Sequence, residues 1–201
     1  MKTIIVAVLV VGAIAFLMAQ RKSEPAASSG PEFTQDDKLL LPANYREWVF
    51  LSSGLGMTYG PVAEVNRDRP PMFDNVFVNP DAYRSFMKAG TWPEKTMFVL
   101  EIRASASKGS INNGGHYESG MIAAEAEVKD TARLGGWAFF AFGTGTSGKQ
   151  IPKTAACYSC HSQKGAVDNT FVQFYPTLLP VAKEKGTLSP GYISAAANEA
   201  H

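Results

Sequence analysis

Cys157-Tyr158-Ser159-Cys160-His161, near the C-terminal end of the chain, is the stretch best equipped to do chemistry. Two cysteines followed at once by a histidine, in the order Cys-x-x-Cys-His, form the pattern for covalent attachment of a c-type haem. The spacing puts both thiols on one turn of backbone, where they can add to the two vinyl groups of one porphyrin, and the next residue then reaches the iron with its imidazole. Cys157 and Cys160 are therefore the expected attachment points of one haem c, and His161 is the expected iron ligand. A structural zinc site wants four ligands, and the chain holds only 2 Cys and 3 His. A dithiol redox motif or a short disulfide has no need of the histidine.

The elements that must position this motif can be read from the start of the chain. Met1 to Gln20 carries Lys2 and then an apolar run from Ile4 to Ala19, short for a spanning helix, which needs about 20 residues. It reads as a secretory signal. Leu17 is large for the third position before a cut after Ala19, so retention as an N-terminal membrane anchor stays open. Export and covalent haem agree, because such haem is mounted outside the cytoplasm; the expected location is the periplasm. Residues 21–32 are polar and Pro-containing and read as a flexible linker. Residues 33–190 have the length of one domain, and residues 191–201 read as a small, polar tail that frays. Formal net charge is +1, from 19 basic and 18 acidic side chains without a basic block, which gives no support to nucleic-acid binding.

Within the domain, Glu47–Ser52, Asn75–Asn79, Thr96–Arg103, Met121–Val128 and Trp137–Phe142 read as strands, being aromatic, β-branched or alternating. Thr96–Arg103 divides into an apolar face of Thr96, Phe98, Leu100 and Ile102 and a face of Met97, Val99, Glu101 and Arg103 that carries the charges. Asp81–Ala89 is the one expected helix before the motif, started at Asn79-Pro80 and stopped at Gly90. Residues 108–120 and 143–148 read as Gly-rich loops. After the motif, residues 171–185 are expected to form short helical pieces over the haem. The fold class is α+β: a mostly antiparallel sheet with a few short helices and the haem motif near the C-terminus.

Several blocks, taken in order, resemble the cytochrome P-460 family, which includes the cytochromes c'-beta: Asn44 to Val49, Val78 to Tyr83, Glu125 to Asp130, Trp137-Ala138-Phe139, and the late Cys157 to His161 followed by Phe174-Tyr175-Pro176. The resemblance spans roughly residues 38–184. It implies a mono-haem periplasmic protein, usually a homodimer, with a β-rich fold and a five-coordinate iron. It also implies that hydroxylamine-oxidising members carry a lysine cross-linked to the porphyrin. The position matching that lysine here is Leu100, which has no amine; Lys88 and Lys95 lie nearby in sequence but in the helix and the turn. That places the chain closer to the c'-beta branch, associated with nitric oxide and similar small gases.

Phe98 and Leu100 are the expected apolar wall beside the haem, each with ordinary sheet packing as the alternative. Glu125 matches a family position near the distal pocket, and Asp74 falls where cross-linked members carry arginine. As general acids or bases the two would relay protons to a bound nitrogen or oxygen species, the alternative being solvated surface charge. A sixth ligand would come from His116, His201 or one of Met57, Met72, Met87, Met97 and Met121; a thioether there would make an electron carrier. Two functions follow as expectations: a haem protein that binds a small gas, or an oxidoreductase of hydroxylamine or nitric oxide that passes electrons to a partner cytochrome.

Overall fold

Alternating and aromatic runs make the strands, and Gly, Pro and Asn break them. A computed structural model describes residues 30–58 and 70–199. The signal or anchor segment, residues 21–29 of the linker and His201 lie outside the described residues. Seven strands occur in chain order: β1 Leu39–Leu40, β2 Val49–Leu55, β3 Phe73–Val78, β4 Met97–Ala106, β5 Tyr117–Asp130, β6 Gly136–Gly143 and β7 Ser147–Gln150. They form one sheet in the order β1-β7-β6-β5-β4-β3-β2, every pairing antiparallel. From β2 to β7 the sheet is a meander, the arrangement that short connections favour. The helices are α1 Pro80–Ala89, the single turn α2 Thr131–Leu134, α3 Ala156–Lys164, α4 Leu179–Lys185 and α5 Pro190–Glu199. The chain is α+β, with its antiparallel sheet and short helices.

The two faces of the sheet are covered by different parts of the chain. On one, Leu51, Val78, Phe98 and Trp137 pack against Phe86 of α1, Trp92, and Val167, Val172, Tyr175 and Leu178 from the C-terminal segment. On the other, Met97, Val99, Ala124, Ala126, Val128 and Phe140 pack under Leu39, Tyr45 and Trp48 of the N-terminal segment. The strand over residues 96–103 therefore differs from its sequence reading. Met97 and Val99 are fully buried and Glu101 is 2 % exposed, because the N-terminal segment closes a face that the charges alone would leave to solvent. Glu101 is tolerated there because Tyr45 donates its hydroxyl hydrogen bond to it and the Arg46 and Arg103 guanidiniums pair with it.

Other differences are local. Residues 45–47 form a 3-10 turn, so the first long strand begins at Val49. Asn79 does not cap α1 with its side chain; its Oδ1 accepts from the Met97 N–H at 2.9 Å, tying helix start to β4. The run at 143–148 ends in β7 rather than staying loop throughout. The tail expected to fray from residue 191 is instead helical through Glu199. Ser189 Oγ accepts from the Tyr192 N–H at 3.2 Å, an N-cap ahead of a proline at the first helical position, and Leu188 and Tyr192 pack on the core. Among the described residues, no helix is long and apolar enough to cross a membrane.

Burial pushes the Glu101 carboxyl up, but the hydrogen bonds from Arg103 and Tyr45 and the two guanidinium charges outweigh it and hold it below the usual carboxylate range. A carboxyl held low in the fold contributes stability above its unfolded pKa and loses it as pH falls through the lower folded value. Glu101→Gln is expected to cost about 3 kcal/mol near neutral pH, since it removes the anion from a buried pair. Urea unfolding of both proteins checks this, and the gap between them should shrink towards zero on acidification.

Candidate functional site

Helix α3 carries the Cys-x-x-Cys-His motif along its length. Tyr158, inside the motif, donates to the Ile151 carbonyl at 3.1 Å and accepts the Phe139 N–H at 3.2 Å. That double bond pins the helix to β6. Cys157 and Cys160 are both free thiols, the first half-buried and the second exposed. Burial pushes the Cys157 thiol above its ordinary pKa, and the charge of Glu125 adds to the effect.

His161 sits between two aromatic rings, 4.5 Å from Phe139 and 4.3 Å from Phe171 by centroid. Its Nδ1 lies 2.9 Å from the Asn169 carbonyl. The carbonyl can only accept, so Nδ1 carries the proton and Nε2 keeps its lone pair for a metal. The carbonyl is aimed by a tight turn. Val167 and Thr170 pair as an isolated bridge, and Asp168 and Asn169 between them both have positive φ, 47° and 64°. This is the pattern of a two-residue primed turn, which Asp and Asn tolerate better than other non-glycine residues. Asp168 is fixed in turn by Lys129, and Lys129 Nζ also donates to the Trp92 carbonyl at 2.8 Å. Gly165 closes α3 where a Cβ would come within 2.7 Å of the Asn169 carbonyl carbon and the His161 oxygen, so only glycine lets turn and helix approach so closely.

Register places the remaining candidates on the sheet face that α3 meets. Val49, Val78, Phe98, Glu127 and Phe139 lie side by side from β2 to β6; the next row holds Ser52, Val76, Leu100, Glu125 and Ala141; the next holds Gly54, Asp74, Ile102 and Ala123. The first row is roofed by the C-terminal segment. Phe98 is enclosed by Trp92, Trp137 and Tyr175, with centroids 4.8, 6.1 and 6.2 Å away, which is the core-packing alternative for that residue. The second row is open: Leu100 and Val76 are half-buried, Glu125 and Ala141 exposed. The face is thus closed core at one end and an open trough of mixed lining at the other, Val76 and Leu100 beside Glu125 and Asp74, with α3 next to it.

The two carboxylates belong to the trough. Glu125 reaches solvent, yet the protein crowding it raises its carboxyl above the usual range, while His161 pulls the other way. Asp74 is raised from 3.8 to about 6 by burial and then by the charge of Glu125. Met57 lies against Gly54 and close to Asp74 on the same face. Met97 is buried on the opposite face, Met121 contacts Tyr45 and Arg46 there, and Met72, Met87 and His116 are exposed. Lys88 is exposed on α1, and Lys95 is paired with Asp130.

A family model, Cytochrome P460, matches residues 42–172, more than half of the chain and including the motif and its turn. The protein belongs to the cytochrome P460 family. It is accordingly a c-type haem protein at the level the family defines. No curated protein matches it as a relative. The residues fit a haem of a P460 member: two unpaired thiols one helical turn apart, an imidazole with its outer nitrogen already satisfied, and an open stretch of sheet beside them that holds Leu100 and Glu125.

Sequence reasoning does not reach Glu127, Lys129, Asp168, Asn169, Phe139 or Phe171 as site residues, although all of them surround or position His161. The Asp168-Asn169 pair is itself a turn signal, but which carbonyl it presents to which nitrogen is decided by tertiary packing. Two outcomes follow. Gly165→Ala is expected to lose roughly 1–3 kcal/mol, the usual cost of overpacking, measured by urea unfolding of the holoprotein. Asp74→Asn is expected to raise the thermal midpoint above about pH 6 and leave it unchanged near pH 3. An acid raised in the fold binds its proton more tightly there, so its contribution is lost as pH rises from the unfolded value through the folded one.

Proposed function

We propose that this P460 member is an exported, periplasmic protein with one haem c attached through Cys157 and Cys160 and ligated by His161 alone, binding nitric oxide or a similar small uncharged gas. The observation that carries the reading is the occupancy of the trough. Leucine stands at the position where, by resemblance, hydroxylamine-oxidising members place a cross-linking lysine, and the two lysines nearest in sequence are exposed or already paired. This favours the c'-beta branch.

The haem would supply an iron with an exchangeable coordination position. The protein's part is to hold Nε2 of His161 towards it, by satisfying Nδ1 at Asn169, and to present Leu100, Val76 and Ile102 as a surface that excludes water and anions. A pocket's polarity and donors decide between holding a ligand and activating it. Asp74 and Glu125 favour a second reading, an oxidoreductase of hydroxylamine or nitric oxide in which a carboxylate whose acid is raised to about 6 accepts the protons that the substrate gives up as its electrons pass to a partner cytochrome. A homodimer is part of either proposal.

Maturation in a host that assembles c-type cytochromes is expected to give a pyridine haemochrome signal and an ordinary five-coordinate high-spin ferrous spectrum that changes on adding nitric oxide. His161→Ala should keep the covalent haem and lose that spectrum. A broadened, red-shifted Soret band would support the cross-linked enzyme instead, and a sharp low-spin spectrum would support a methionine sixth ligand and electron transfer.

A further inference from the structure

Glu127 has no role in the reading above. It lies two residues from Glu125 on the same face of β5, but in the closed row, with Phe98 and Phe139 as its cross-strand neighbours on either side. Its residue exposure is 9 %. Its Oε1 is buried and has no hydrogen-bond partner at ordinary length. The polar atom it faces is His161 Nδ1, 3.4 Å away. The nearest cation along the strand, Lys129, does not offset it, because its ammonium is turned to Asp168 and the Trp92 carbonyl. Burial pushes the Glu127 carboxyl above the usual range and the Asp168 charge adds to that, while the His161 imidazole is what draws it back down.

Burying an acceptor between two phenylalanines without a hydrogen bond is costly. Such a group needs a reason to persist. The imidazole supplies one: when Nε2 binds a metal, Nδ1 must carry the proton, and its polarity rises as electron density leaves the ring. The N–H then has two acceptors within reach, the neutral Asn169 carbonyl at 2.9 Å and the Glu127 carboxyl at 3.4 Å. A carboxylate behind a ligating histidine fixes the ring and makes it a stronger donor.

We infer that Glu127 is a positioning residue for the iron ligand, sharing the His161 Nδ1–H with the Asn169 carbonyl and so setting the donor strength of the imidazole. This rests on His161 being the ligand. A more basic imidazole stabilises ferric over ferrous iron, so Glu127 holds the reduction potential down and strengthens the iron–histidine bond. The Lys129 ammonium is committed to Asp168 and the Trp92 carbonyl and so does not pair with the Glu127 carboxylate.

The test uses the holoprotein and Glu127→Gln, which keeps the shape and an acceptor oxygen and removes the charge. Two readouts are taken: the potential by spectroelectrochemistry and the iron–histidine stretch of the ferrous form by resonance Raman. The variant should favour ferrous iron by about tenfold, equivalent to about 59 mV for one electron, and the stretch should move to lower frequency. Glu127→Asp should restore part of both changes. If Glu127→Gln yields no holoprotein, Glu127→Leu, which leaves no buried polar group, carries the same expectation. A shifted thermal midpoint with neither the potential nor the stretch moved would overturn the inference and leave Glu127 a structural residue. Absence in the parent of a histidine–iron band that His161→Ala abolishes would instead overturn the ligation reading on which it stands.

Discussion

The hydrogen bond between His161 Nδ1 and the Asn169 carbonyl is the contact on which the site depends. A histidine on a short helix beside a sheet has two nitrogens and a ring free to rotate; one fixed acceptor removes both freedoms. Everything behind that acceptor is built to keep it in place. Asp168 and Asn169 take left-handed conformations, Thr170 receives the Trp92 indole N–H at 2.8 Å, and Gly165 admits the turn against the helix. The Lys129 ion pair reaches from the sheet to the turn, so the imidazole's orientation is referred back to β5 and not to the surface loop alone.

The sheet contributes by being covered unevenly. Its N-terminal cover closes the middle of one face, leaving Phe50 exposed towards the β2 edge, and the C-terminal segment closes only part of the other. Where that second cover stops, apolar side chains and two crowded carboxylates are left facing a trough next to the motif. The same asymmetry explains why neighbouring acids differ. Glu125, in the open row, meets solvent; Glu127, two residues on, is sealed between aromatic rings; Glu101, on the far face, is held ionised by two guanidiniums. Their sequence context is similar, and their charges answer to what packs over them.

The resulting picture joins a rigid support to an open space. The aromatic core of Phe86, Trp92, Phe98, Trp137 and Tyr175 makes one end of the face unyielding, and α3 is fastened to β6 through Tyr158. Asp74 and Glu125 are the carboxylates of the open rows, set beside Val76, Leu100 and Ile102.

Much of this was legible in the residues. Alternation and aromatic content located the long strands, Asn79-Pro80 and Gly90 bounded the first helix, and the Cys-x-x-Cys-His spacing named the haem chemistry, because each depends on neighbours in sequence. The Ser189-Pro190 cap was also there to be read, yet a small-residue tail gave no apolar stripe to suggest that it would dock. What sequence could not decide was which side of β4 would be buried, since that required knowing that residues 33–48 fold back across it. Nor could it bring Glu127 and Asn169 to the two sides of one imidazole nitrogen. Spacing along a chain specifies which groups share a turn or a face; only the closing of distant segments over the sheet determines which of them lose water, and with it which become partners.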